Sequence, residues 1–448
     1  MFLCGNKVVA KRYHIWMRVL LLVLFCIIPR QGKAGTLEFN QLRREILAQA
    51  YDVKLAAKEI DISQQRIREA GAAYFPALSF RYSNEWFKDF TESSGGLDSV
   101  GGTVISSSGS KWKNVATLSL NYTLYDFGTR SLRVDSAKLE TEQTRRQKEQ
   151  REQDVSLQVL DLFARGWRLQ TQQNIQQQRL ELAEERYALG QRLYQAGTMD
   201  RIKVGELAID VAETRLLVEQ LQRQFVDVLW ALTELSGHCY EPTTTFVPLG
   251  ASDAASVTIA LLPEVQALDL AIETKQNEVD MALRRFLPTL NLYSSYTFYG
   301  RDSSDWSQAF SDLDDTNFSC GITLDVNLFN GFGDLAQFER LKLEKEHLQL
   351  QREKKVAELT TRYQTLKYRA DQSPDKKQRW SHTRRTLEEQ RDMMTRLSQQ
   401  QLRDQVTQIG QQLDLLEQQL QVRLDEIEQM TALNQLTLLS AYQFRPDF

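Results

Sequence analysis

"NYTLYDFG", residues 121–128, and "VNLFNGFG", residues 326–333, are two versions of one phrase. Each closes a run of alternating apolar and polar residues and opens a long polar stretch rich in helix formers. Leu124 and Leu328 stand 204 residues apart. The chain therefore passes twice from a strand into a long helix, and the remaining sequence falls into two copies around those passages.

Upstream of the first phrase, Leu42, Ile46, Leu47, Val53, Leu55, Ile60, Ile62 and Ile67 recur at helical spacing between Glu38 and Ala73. Pro76 stops that helix, because proline supplies no amide and clashes with the preceding turn. Leu262–Arg285 repeats the pattern and ends at Pro288, so "FPAL" (75–78) and "LPTL" (287–290) are matching hinges. After each hinge the period drops to two, predicting strands at 77–87, 115–126, 289–299 and 317–328. Leu118, Leu120, Tyr122 and Leu124 alternate with Ser119, Asn121 and Thr123; Ile322, Leu324, Val326 and Leu328 alternate with Thr323, Asp325 and Asn327. A sheet with one apolar and one polar face, and strands near the ~9–11 residues that cross a tilted bilayer path, fits lipid on one side and water on the other. The joining loops are polar: 91–110 is rich in Gly and Ser, and 302–315 is an acidic turn expected to be solvated.

Thr129–Ala196 contains no proline and would reach ~100 Å as one helix. Gly197-Thr198 offers a tip near 197–200, and Asp200–Leu235 returns as a helix stopped by Gly237. The second copy runs from Asp334 to about Gln401, turns near 401–405 and returns through Leu433, with a kink expected at Pro374. Residues 140–154, "ETEQTRRQKEQREQD", hold no large apolar side chain, and no sustained a/d heptad is read in these helices, which points to loosely packed helices lining a wide tube. The expected organisation is a signal peptide (1–34), a first repeat (35–236), a linker (237–261), a second repeat (262–435) and a C-terminal tail (436–448).

The N-terminus carries Lys7, Lys11, Arg12 and Arg18 ahead of the apolar run Val19–Ile28, with small residues at Gly32 and Ala34. This reads as a secretory signal peptide cleaved near Ala34; the run is too short for a spanning helix. Phe25 before Cys26 disfavours lipidation there. Removing the six basic residues of 1–34 from the 55 in the chain leaves 49 against 59 acidic ones, so the mature chain is acidic and carries no patch suited to nucleic acid. Cys239 and Cys320 lie in different kinds of segment, so no disulfide is expected.

Motifs with chemistry fail on context. "GFGDLA" (331–336) fits a dinucleotide fingerprint, yet the helix after it runs on past the length of a βαβ unit. "SGSK" (108–111) sits in the Gly/Ser loop without companion motifs, and His238, His347 and His382 are scattered singly. No catalytic constellation, cofactor site or metal site is read.

The paired P-x-L hinges, the junctions "LYDFG" (124–128) and "LFNGFG" (328–333), and "AGT" followed by "GELAIDVAETRL" (205–216) together resemble the TolC-like family of outer-membrane efflux and export ducts. The resemblance implies a mostly α fold with a small transmembrane β-barrel contribution: a duplicated helix–strand–strand–long helical hairpin in a trimeric α/β barrel duct. Three copies would close one barrel, lipid outside and water within, in the outer membrane of a Gram-negative bacterium with the helices in the periplasm. The acidic chain would favour cations in the lumen modestly. The implied partners are two further copies, outer-membrane lipid, a periplasmic adaptor, and an inner-membrane pump of RND or ABC type, for efflux or type I secretion. The implied junction residues are Pro76, Asp126, Gly128, Pro288, Asn330, Gly331 and Gly333. The implied tip and gate residues are Gly197, Thr198, Lys203 and Glu206, with Gln408 and Gln411 matched through Gly205 and Gly410. The second copy departs from the family in having no carboxylate there and no Gly-Thr turn. Asp200, Arg201, Arg403 and Asp404, at or beside the tips, are therefore read instead as inter-helix ion pairs that hold the tip shut, with solvated helix-end charges as the alternative. The competing reading is a periplasmic coiled-coil scaffold without a pore, which leaves the two-faced strands unexplained.

Overall fold

Two prolines set the passages between helix and sheet. Pro76 and Pro288 offer no amide to a helix or a ladder, and the helices ahead of them stop at Ala72 and Arg284. The computed structural model describes residues 35–87, 111–250, 256–302, 305–311, 313, 315–370, parts of 381–396, and 405–443. The predicted signal peptide, the loop 91–110, Pro374, Arg403 and Asp404 lie outside the described residues. In chain order the elements are β1 (Thr36–Leu37), α1 (Phe39–Gln49), α2 (Tyr51–Ala72), β2 (Ala77–Phe87), β3 (Lys111–Tyr125), α3 (Thr129–Gln195) and α4 (Arg201–Ser236). There follow β4 (Thr245–Phe246), α5 (Pro263–Arg284), β5 (Thr289–Asp302), α6 (Trp306–Ser311), β6 (Asp315–Asp325), α7 (Gly333–Ala370) and α8 (Gln405–Ala441).

Several expected boundaries move, each for a physical reason. The helix expected over 38–73 is two helices. Buried Ala50 takes an extended ψ of 122°, closes α1 with its amide on the Ile46 carbonyl (2.7 Å), and accepts the Lys54 amide (3.1 Å) on its own carbonyl. The last strand ends at Asp325 rather than Leu328, because Asp325 pairs with Thr289 and the next residue on that partner is Pro288. Val326 and Leu328 therefore lie beyond the ladder. No tail begins at 436: Leu436, Leu438 and Leu439 are buried, so α8 continues to Ala441. Within the acidic turn Trp306–Ser311 forms α6, ahead of which Asp302 accepts the Asp305 amide (2.8 Å) and Asp305 accepts the Ser307 amide and hydroxyl (3.1 and 2.8 Å). Those two bonds from Ser307 hold the Asp305 carboxyl below its ordinary range.

The chain divides into two units. The first comprises the chain up to Ala56, Lys148–Pro263, and everything from Ala357. Its core gathers Phe39, Leu42 and Ile46 of α1, Val159, Leu160 and Phe163 of α3, Leu229 and Leu232 of α4, and Leu438 of α8. The linker enters this core. β4 pairs in parallel with β1, which sets Phe246 edge-on to Phe163 (5.2 Å) and Phe225 (5.8 Å). The Phe246 amide also donates to Gln170 Oε1 on α3 at 2.7 Å. One turn before Gln170, Gly166 leaves the space that the Phe246 ring fills. Among the buried residues of α4, Leu207, Val211, Thr214, Val218, Leu221, Phe225, Val228 and Leu232 step by four and three alternately, with Leu229 and Ser236 buried outside that alternation. That is a heptad seam, contrary to the expectation, and Thr214 is what disguises it as a broken apolar pattern.

The second unit comprises Ala57–Gln147 and Glu264–Val356. Its sheet has the order β2-β3-β5-β6, antiparallel throughout, with a bulge at the end of β3 between Thr123 and Tyr125. Helices α5 and α7 share a small apolar cluster, Val279, Ala282 and Leu341, and are otherwise laced by charge. Glu264 pairs with Lys355 (2.7 Å), Asp269 with Arg352, and Lys275 with Glu344 (3.2 Å). Burial works against the charge on Lys275, but Glu278 and Glu344 together outweigh it and the amine sits above its ordinary value. Hydrogen bonding from Lys275 lowers Glu344. Within α3 the apolar-poor stretch is held by pairs such as Arg146–Glu142 (3.0 Å) and Lys148–Glu152 (3.3 Å).

Two outcomes are expected. Gly166→Ala forces a methyl into the Phe246 ring and lowers stability by about 1–3 kcal/mol, as overpacking does; thermal melts of the G166A, F246L and double variants will show the two changes to be strongly coupled. Because Glu344 is depressed, its contribution is complete above the unfolded carboxylate range and fades as pH falls through the folded value. Hydrogen exchange in α5 and α7, corrected for intrinsic rates, should therefore accelerate on acidification, less so in Glu344→Gln.

Candidate functional site

Strand register decides what each face of the sheet can touch. Phe80, Leu118, Tyr296 and Phe318 lie side by side across the four strands, and all are exposed, Phe80 at 68% and Phe318 at 64%. The next row on the opposite face is Ser79, Ser119, Ser295 and Ser319, with Ser295 and Ser319 hydroxyls 2.8 Å apart. Beside it run Arg81, Thr117, Thr297 and Asn317, where the two threonine hydroxyls lie 3.3 Å apart. A water-soluble protein covers an apolar sheet face; here that face is bare, and a lipid environment is what makes it favourable. The strands are 11 to 15 residues long, enough for a tilted crossing of ~9–11. Exposed aromatics mark both ends: Trp86 and Trp306 at one, Phe75, Phe329 and Phe332 at the other, as interfacial belts do. Among the described residues no helix is long and apolar enough to cross a membrane.

At the Trp end, α6 covers Asn114, which is fully buried and hydrogen-bonded through both its oxygen and its nitrogen. Asn114 Oδ1 accepts from the Tyr82 hydroxyl (2.9 Å), and its Nδ2 donates to the Trp306 carbonyl (3.1 Å).

At the other end the duplicated phrases fold into the same turn. Asp126 Oδ2 accepts the Arg130 amide (2.9 Å), and Asn330 Oδ1 accepts the Asp334 amide (3.3 Å), four residues on in each case. The carbonyls of Asp126 and Asn330 likewise accept the amides of Thr129 (3.1 Å) and Gly333 (3.4 Å). Two successive residues are left-handed in both copies: Phe127 (φ 53°) and Gly128 (φ 79°), then Gly331 (φ 69°) and Phe332 (φ 67°). The glycine and phenylalanine have exchanged places. Gly333, expected as a turn glycine, is instead the first residue of α7. The copies differ in charge after the turn. Arg130 pairs with Asp126 (Nε–Oδ2 3.2 Å), donates to the carbonyls of Ala73 (3.3 Å) and Leu124 (3.4 Å), and lies over the rings of Tyr74 and Tyr122. Asp334 at the equivalent place accepts from Asn327 (2.9 Å) and faces Arg285 (3.7 Å).

At the first helical tip, Gly197 turns the chain at φ 73°, and the Thr198 amide and hydroxyl both donate to the Leu193 carbonyl (2.9 Å each). Asp200 caps α4 by accepting the Lys203 amide (2.8 Å), so its carboxylate serves the helix end. Arg201, Lys203 and Glu206 are exposed and make no ion pair among the described residues. In the second copy Gln408 is buried. Behind the tip, Arg179 of α3 reaches Glu417 of α8 (3.0 Å) and Asp210 of α4 (4.0 Å). No group of three His, Cys, Asp or Glu among the described residues could hold a metal, and each described His has a neutral partner, as in His238–Gln49 and His347–Gln351. Cys239 and Cys320 are free thiols.

Residues 42–238 match the outer membrane efflux protein family. The chain has the fold of the TolC-like outer-membrane channels. The outer membrane protein VceC of Vibrio cholerae is 16% identical with a TM-score of 0.70, over 90% of this chain and 95% of that one. The outer membrane channel CmeC of Campylobacter jejuni is 14% identical with a TM-score of 0.70, over 91% and 85%. The open state of the MtrE outer membrane channel of Neisseria gonorrhoeae is 12% identical with a TM-score of 0.61, over 90% and 88%. No curated protein matches the chain. What the chain shares with these outer-membrane channels is the fold, and its residues 42–238 carry the likeness to the efflux protein family.

Sequence reading missed Arg130, Arg179, Phe127 and Phe332. The first had a signal, an acceptor residue at Asp126 and Asn330 four positions ahead of a charged one; Arg179 had none, because its partners come from two other helices.

Arg130→Gln should cost about 2–4 kcal/mol, since it strands a largely buried Asp126 and two carbonyls. In an Asp126→Asn background, which copies the natural residue of the second junction, the same change should cost markedly less. Thermal melts of the folded protein across that double-mutant cycle measure both.

Proposed function

We propose that three copies of this chain close a twelve-stranded barrel in the outer membrane and continue it as a helical conduit through the periplasm. The bare apolar face, on a sheet whose edge strands β2 and β6 each have one neighbour among the described residues, carries this reading. Edges left open in lipid would cost several kcal/mol per unpaired backbone group, and a neighbouring copy supplies the missing strand. The polar serine and threonine rows then line water. The conduit has no chemistry of its own, and its working partners are a periplasmic adaptor and an inner-membrane pump, of RND or ABC type, in efflux or type I secretion.

The tip closes by charge. Arg179 supports this, since it ties α3 and α4 of the first hairpin to α8 of the second through Asp210 and Glu417. Purified trimers inserted in planar bilayers should conduct poorly at rest, and Arg179→Glu should raise single-channel conductance severalfold. Absence of any channel in the wild type and the variant sinks the conduit; equal conductance in both sinks the latch alone.

A further inference from the structure

The polar side of the sheet opens, where its strands meet the helices, into a cleft of about 880 Å³. Its walls come from the hinge at Ala72–Ala77, the ends of β3 and β6, and the facing ends of α3 and α5. Four arginines line it, Arg130, Arg133, Arg284 and Arg285, against two aspartates, Asp126 and Asp325. The charges do not simply cancel. Asp126 is taken by Arg130. Asp325 accepts from neutral donors, the Asn291 amide (2.9 Å) and the Thr323 hydroxyl (3.3 Å). Arg285 donates to Gln337 (2.5 Å) and faces Asp334 (3.7 Å). Arg133 and Arg284 make no hydrogen bond or ion pair among the described residues. Arg284 is half-buried and lies against the backbone of Gly128, where any Cβ would meet its Nη1 at 2.9 Å. The left-handed glycine of the first junction therefore also makes room for this guanidinium.

We propose that Arg133 and Arg284 form an oxyanion-binding collar at the base of the barrel, which holds the carboxylate or phosphate group of a solute in transit. This rests on the polar face lining the lumen. Guanidinium forks match oxyanions in two-point geometry, and the neighbouring Thr289 and Asn121 add neutral donors to the same walls. Repeated three times around the pore, the collar favours anions at this level, against the acidic balance of the chain, and does so most strongly at low ionic strength.

The test uses purified trimers in planar bilayers under a KCl gradient, with inorganic phosphate then added on the barrel side. For the wild type, the reversal potential should report a chloride share that falls severalfold in R133Q/R284Q, and phosphate should reduce the current in the wild type but not in that variant. The R133K/R284K variant keeps the charge and should keep the chloride share while losing phosphate block. Heat-modifiable migration of the variants as trimers verifies that they fold. A conducting wild type whose selectivity and phosphate response equal those of R133Q/R284Q overturns the collar and leaves the conduit standing; a wild type that does not conduct overturns the conduit itself.

Discussion

A backbone amide or carbonyl in hydrocarbon has no water to bond, so a sheet in lipid cannot stop at an open edge. Everything in the second unit answers to that constraint. The four strands form an uninterrupted antiparallel order from β2 to β6, which satisfies the interior and leaves two edges for neighbours. The apolar row of Phe80, Leu118, Tyr296 and Phe318 is favourable only if those edges are paired and that face is solvated by lipid. The prolines at 76 and 288 end the ladders where the chain leaves the sheet, so few unpaired amides are left at that rim.

The junction turn shows what duplication preserves and what it releases. Both copies keep a side-chain acceptor at Asp126 or Asn330 and two left-handed residues after it. A non-glycine residue in that conformation costs roughly 1–2 kcal/mol, and both copies tolerate a phenylalanine there because the surrounding bonds fix the turn. The residue that ends the turn is free to diverge: Arg130 binds the first hinge, whereas Asp334 faces Arg285. That divergence leaves the guanidinium surplus at the base of the sheet.

The helices are held in two different ways. In the first unit an aromatic core seated on Gly166 and a heptad seam along α4 supply apolar burial. In the second, α5 and α7 rely on cross-helix ion pairs that are more than a third exposed on at least one side. Exposed pairs contribute little singly and weaken with salt and acid, so the stability of these helices depends on solution conditions more than that of the apolar core does.

The residues alone determined the duplication, the hinge prolines, the two-faced strands and the helical hairpin turning at Gly197, because each is written in local periodicity or in a residue with a restricted backbone. They also identified Asp126, Asn330 and the tip cap Asp200 by position. They could not show that the linker is core, since Phe246 gains its meaning only from Phe163, Gln170 and Gly166 on a distant helix. Nor could they separate Arg133 and Arg284 from the many arginines on solvated helix faces. Which charges are neutralised depends on distances between segments far apart in the chain, and only the folded arrangement fixes those.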